Sequence, residues 1–174
     1  MADKRNTPHD STSHLHAAGT RSGGTSYRNA PTTSVSVNGT QFVYRELGVD
    51  SGTPVIFLNH LAANLDNWDP RVVDGIAAKH HVITFDNRGV GATENEGGFS
   101  TERMLADTAE LIEKVAGAPT RLVGMSMGGF IAQELMLARP ELISQAVLMG
   151  ARGRIDRTRE SFRIAEQALE ESGI

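Results

Sequence analysis

Gly124-Met125-Ser126-Met127-Gly128-Gly129 constrains this chain more than any other stretch, because it joins two elements that meet only through a very sharp turn. Before it stand Thr120, Arg121 and the apolar pair Leu122-Val123, which read as the end of a strand. After it Phe130, Ile131, Leu135 and Ala138 recur at helical spacing. A turn this tight presses the residue two before the serine against the residue two after it. Glycine at both places removes the Cβ atoms that would collide. The serine hydroxyl is thereby lifted to the carboxyl end of a strand and the positive end of a helix. In that context Gly-x-Ser-x-Gly marks a nucleophile, so Ser126 is the candidate catalytic residue. The competing reading is an incidental serine in a glycine-rich turn. The flanking strand, the flanking helix and the additional Gly129 weigh against it.

The rest of the chain repeats the same alternation. Ser34–Val37 and Gln41–Arg45 flank Asn38-Gly39, a strong hairpin signal. Val55-Ile-Phe-Leu58 is a continuous apolar run, as expected of a strand covered on both faces. A loop from Asn59 to Trp68 follows, then Asp69-Pro70 as N-cap and first-turn proline of a helix whose buried face is Val72, Val73, Ile76 and Ala77. His81–Phe85 is the next strand and ends in the turn sequence Asp86-Asn-Arg-Gly-Val-Gly91. Met104, Leu105, Thr108, Leu111, Ile112 and Val115 mark a helix closed by Gly117 and Pro119. Gln145–Met149 is the last strand. Strands alternating with helices after a hairpin predict an α/β fold, a mostly parallel sheet with helices on both faces. In such sheets ligands sit at the carboxyl ends of the strands, where Ser126 would stand.

Composition limits what else the chain can be. Its 174 residues, 39% of them apolar, suffice for one core. A net charge of -4 argues against a nucleic-acid partner. No cysteine is present, which excludes disulfides, thiolate metal sites and a cysteine nucleophile. No apolar run is long enough to span a bilayer, and no signal peptide is evident, so no membrane association and cytoplasmic residence are expected. Residues 1–30 are rich in Ser, Thr, Gly, Asn and His and read as a disordered tail. His9, His14 and His16 within it lack orienting partners, and no metal site is expected. Residues 31–151 form the core, and residues 152–174 begin a cap or helical insertion carrying Phe162, Ala165 and Leu169. Arg152, Arg154, Arg157, Arg159 and Arg163 read as a solvated face rather than an anion site, and Asp156 as a helix cap.

The sequence of hairpin, apolar strand with its loop, Asp86-x-Arg88-Gly89-x-Gly91 turn and Gly-x-Ser-x-Gly-Gly elbow resembles the α/β-hydrolase family over residues 34–151. Gly-Met-Ser-Met-Gly-Gly followed by Ala-Gln and then Arg-Pro-Glu is similar to serine esterases, enol-lactonases, carbon–carbon bond hydrolases and cofactor-free haloperoxidases or perhydrolases. The resemblance implies a small-molecule ester, lactone or related carbonyl substrate, no cofactor, and an acyl-enzyme on Ser126. It also implies an oxyanion hole from two backbone N–H groups. One belongs to Met127, directly after the serine. The other belongs to Leu61, counted back from Trp68 in the loop after Val55–Leu58. His60 stands where the family has glycine; His60 and Trp68 are the residues expected to line the pocket. His60 is weighed as a general base and favoured as a structural or pocket residue. His80 and His81, at the opposite end of the sheet, read as surface residues.

Family members place an acid and then a histidine after the serine. No histidine follows Ser126 in these 174 residues. The chain is therefore expected to be the first two-thirds of the fold, truncated before its last two strands. A non-catalytic binding protein is the alternative, as is a haloperoxidase or perhydrolase where the frame continues. Truncation would leave Gln145–Met149 as an unpaired edge, through which self-association is expected.

Overall fold

The computed structural model describes residues 25–50, 52–95, 97–98, 100–117 and 119–153. The expectations for residues 1–24, for His9, His14, His16 and Asp156, and for the helix after residue 153 lie outside the described residues.

One six-stranded sheet carries the fold, in the order β1-β2-β4-β3-β5-β6. Strands β1 (Thr32–Val37) and β2 (Thr40–Gly48) form the hairpin, and β2 runs antiparallel to β4 (His81–Phe85). Strand β4 pairs in parallel with β3 (Val55–Leu58), β3 with β5 (Thr120–Met125), and β5 with β6 (Ile143–Met149). Asn38 and Gly39 both hold positive φ, 45° and 79°, as a two-residue hairpin turn requires.

Period-two alternation divides the core between the two faces. Ile56, Leu58, Ile83, Phe85 and Leu122 point to one face, covered by α2 (Thr101–Leu111) and α3 (Met127–Ala138) through Met104, Leu111, Ile131, Ala132 and Leu135. Val55, Phe57 and Val82 point to the other, covered by α1 (Pro70–Ala77) through Val73 and Ala77. Each fully buried side chain of this kind contributes about 1.5–3 kcal/mol relative to exposure. The apolar runs of β3 and β4 are buried throughout, which is why they lack alternation in the sequence.

The helix signals act as their chemistry suggests. Asp69 caps α1, its carboxylate accepting from Arg71 N at 2.9 Å with Pro70 in the first turn. Ser100 caps α2, and Gly117 ends the π-helical turn Ile112–Ala116 in a left-handed conformation. A buried ion pair anchors α2 to the sheet. The Arg88 guanidinium donates to both oxygens of Asp107 at 2.7 and 2.8 Å and also reaches Thr40 Oγ1. Asn38 Nδ2 donates to the same Asp107 at 2.9 Å.

Three expectations are corrected. The segment read as tail does not extend to residue 30: Tyr27–Asn29 is a 3-10 turn, and Tyr27 and Ala30 are buried. Tyr27 packs in the α1-side core with Trp68 and Phe57, its N–H donates to Asp74 Oδ1 at 2.6 Å, and Arg45 lies over its ring at 5.6 Å. His81 is not a surface residue but is buried, with Nε2 3.7 Å from Glu46 Oε1. Val72 is half exposed, because α1 is short and turns only Val73 and Ala77 fully inward.

Candidate functional site

The site grows out of the turn between β5 and α3. Ser126 sits there with φ 51° and ψ -112°, a conformation that non-glycine residues rarely hold. Its side chain does not cap α3, so the hydroxyl is not used up by its own helix. Its N–H donates to Met149 O at 2.8 Å, which ties the turn to the end of β6.

The crowding that the glycines imply is present. A Cβ on Gly124 would lie 2.6 Å from Gly128 O, and one on Gly128 only 2.1 Å from Leu58 O. A Cβ on Gly129 would meet Ala151 Cβ at 2.5 Å. The turn at Ser126 is thus wedged between the end of β3 and the segment after β6. Gln133 braces that segment, donating from Nε2 to Gly129 O and Arg152 O, both at 3.2 Å.

Loop Asn59–Trp68 leaves β3 beside this turn, since Leu58 pairs with Gly124. Asn59 is buried and donates to Phe85 O at 3.2 Å. His60 to Ala63 form a β-turn closed by Ala63 N–H to His60 O at 3.2 Å, with Ala62 at φ 58°. Leu61 is 63% exposed. Among the described residues, Leu61 N–H forms no turn or loop hydrogen bond. Met127 opens α3, and its N–H belongs to the first turn, where no helical carbonyl can accept it. Two backbone donors therefore remain at the carboxyl end of adjacent strands.

His60 Nδ1 lies 3.0 Å from Leu61 O. A carbonyl only accepts, so in the neutral ring the proton of this contact is on Nδ1 and Nε2 is left as an acceptor. His60 is half-buried at the end of β3. Trp68 is placed elsewhere. Its ring packs edge-on against Phe57, with centroids 4.8 Å apart, in the core on the α1 face. It borders a cleft with Ser26, Arg28, Asp69 and Asp74, away from the α3 side of the sheet. Trp68, read from the sequence as a candidate pocket residue, is buried in the core on the α1 face. Among the described residues no cluster of His, Cys, Asp or Glu suits a metal ion, and no helix is long and apolar enough to cross a membrane.

The residue that the sequence reading passed over is Asp86. It is buried, and its carboxylate accepts from Leu65 N at 2.6 Å and from Ala92 N at 2.9 Å. An aspartate directly after a buried strand was the available signal, but its partners lie in two different loops.

The family model for the alpha/beta hydrolase fold matches residues 53–170. The chain belongs to the α/β-hydrolase family. It is 54% identical over 125 residues to a protein of Mycobacterium tuberculosis (strain H37Rv) named as a non-heme bromoperoxidase, BpoC, covering 71% of this chain and 48% of that one. It is 28% identical over 125 residues to a protein of Azorhizobium caulinodans named as a carbamate hydrolase, RutD, covering 71% of this chain and 47% of the other. Among solved structures, an alpha/beta hydrolase fold protein from Chitinophaga pinensis aligns with a TM-score of 0.72 at 31% identity, covering 84% of this chain and 54% of that chain. The chain spans about half the length of the curated relatives it matches.

Proposed function

We propose that this α/β-hydrolase chain carries the nucleophile half of a serine hydrolase acting on a small ester, lactone or related carbonyl compound. Ser126 Oγ attacks the carbonyl carbon, and the C–O bond to the leaving group breaks. The hydroxyl proton passes to a base and on to the departing oxygen, leaving an acyl-serine. Water then releases the acid. The oxyanion formed in each step is held by the N–H groups of Leu61 and Met127. The observation that carries this reading is the strained φ of Ser126, fixed by glycines whose Cβ atoms would strike Leu58 and Gly128. Strain of this kind persists where the surroundings enforce it, and such places cluster at active sites.

A second acceptor for the acyl group has its own support. The relative named as a non-heme bromoperoxidase is 54% identical to this chain over 125 residues. Hydrogen peroxide in place of water would turn the same acyl-serine into a peracid, with no change in the part played by Ser126, Leu61 or Met127.

The test uses an aryl fluorophosphonate, with imidazole added as an external base because no histidine follows Ser126. The adduct is expected on Ser126, and Ser126→Ala abolishes it. Leu61→Pro deletes the donor at the second position of the His60–Ala63 turn, where proline is accommodated when the next residue has positive φ. Loss of one oxyanion donor costs about 2.7–4 kcal/mol, a 10²–10³-fold slower reaction. An unchanged rate in Leu61→Pro would remove Leu61 from the oxyanion hole.

A further inference from the structure

Asp86 is a buried carboxylate, 3% exposed, at the carboxyl end of β4, and the proposed chemistry leaves it unused. Its two oxygens face different loops. Oδ1 accepts from Leu65 N at 2.6 Å, in the loop that carries Leu61. Oδ2 accepts from Ala92 N at 2.9 Å, in the turn that follows β4 itself. Gly91 leaves the space for this: a Cβ there would lie 2.0 Å from Asp86 Oδ2, and its φ is 58°. The backbone of Asp86 is fixed independently of the carboxylate. Its N–H donates to Val43 O at 3.0 Å, and its carbonyl accepts from Thr93 Oγ1 at 3.0 Å. Thr93 Oγ1 in turn accepts from Val43 N at 3.0 Å.

We infer that Asp86 is a positioning residue for the oxyanion loop: its carboxylate locks the loop of Leu61 to the turn after β4 and so sets where the Leu61 N–H points. The inference builds on the reading of Leu61 as an oxyanion donor. The chemistry selects aspartate. Both oxygens accept from N–H donors, and a carboxylate offers an acceptor oxygen on each side. Asparagine matches its shape but must turn an NH2 group towards one of the two N–H donors. Glutamate is one methylene longer in a space already closed by the Gly91 backbone. Asp86 touches no reacting atom; it acts through the loop.

The experiment compares the 174-residue chain with Asp86→Asn and, independently, with Gly91→Ala, which would push the carboxylate aside without removing it. The first readout is amide hydrogen exchange. Both variants are expected to speed exchange at Leu65 or Ala92 by at least about tenfold, while Ile56 and Leu122 in the sheet keep their protection. Unchanged exchange at both loop amides in both variants overturns the inference. The second readout is imidazole-assisted phosphonylation of Ser126, expected to slow about tenfold in the same variants. Freed loop amides with an unchanged Ser126 rate also overturn it, because the loop would then be locked to no catalytic purpose. If the unaltered chain itself gives no adduct on Ser126, the serine-hydrolase reading fails. The exchange data still decide whether Asp86 holds the loop.

Discussion

Ser126 holds a φ of 51°, and the cost of that conformation for a residue with a Cβ is about 1–3 kcal/mol. Glycine removes the cost but adds backbone entropy to the unfolded chain, about 0.5–1 kcal/mol. Ser126→Gly is therefore expected to leave stability equal or raise it by about 1 kcal/mol while abolishing any adduct at this position; chemical denaturation with a labelling assay measures both. The glycines around it behave oppositely. A Cβ at Gly128 would meet the Leu58 carbonyl, which is backbone and has no rotamer to change. Gly128→Ala should cost about 1–3 kcal/mol, the usual range for overpacking. This part of the site was legible because steric exclusion around one serine leaves its mark within five consecutive residues. The role of Asp86 was not, since its partners lie 21 and 6 residues away and neither is a side chain.

At the scale of elements, β3, β4, α1 and the hairpin were legible from short-range signals: unbroken apolar runs, Asp-Pro, Asn-Gly. Tyr27 was not. One aromatic among Ser, Gly and Asn gives no period, and its burial depends on Asp74 and Trp68, more than forty residues away in the chain. Tyr27→Ala is expected to cost about 3–5 kcal/mol, as for other large buried aromatics, and removal of residues 1–30 should destabilise by at least as much. Thermal or denaturant unfolding would detect either. The α1 cap makes a pH prediction. Hydrogen bonds from the Arg71 side chain and N–H hold the Asp69 carboxyl down at about 2, against 3.8 normally. A depressed folded pKa gives stability that is present above the unfolded value and is lost as pH falls through the folded one. The melting-temperature difference between the protein and Asp69→Asn should thus be constant above about pH 5 and vanish towards pH 2. His81 shows the limit of such local reading. Its neighbours Lys79 and His80 suggest a surface, yet pairing opposite Gly48 places it inside.

For the whole molecule, β6 is the edge of the described sheet, and Val147, Leu148 and Met149 are 57%, 39% and 37% exposed. Met125, at the end of the neighbouring strand, is exposed as well. An apolar edge with unpaired backbone groups is a template for another chain. We propose that the 174-residue chain associates with itself through this edge. Sedimentation across micromolar concentrations should show mass rising with concentration, and a Val147→Lys substitution should suppress it; a monomer throughout would contradict the proposal. The central proposal concerns chemistry rather than association: Ser126 is the nucleophile, the Leu61 and Met127 N–H groups are the oxyanion donors, and no histidine follows Ser126 in these 174 residues to serve as its base. Without a base the serine hydroxyl is a weak nucleophile, and loss of the histidine alone in subtilisin costs about 2 × 10⁶ in turnover. The most direct measurement is the rate of fluorophosphonate adduct formation, mapped by mass spectrometry, with and without imidazole. The account predicts a very slow reaction that imidazole accelerates, confined to Ser126 and lost in Ser126→Ala. Rapid labelling of Ser126 without imidazole would contradict it and make His60 the first residue to test as the base; labelling that survives in Ser126→Ala would remove the serine from the site altogether.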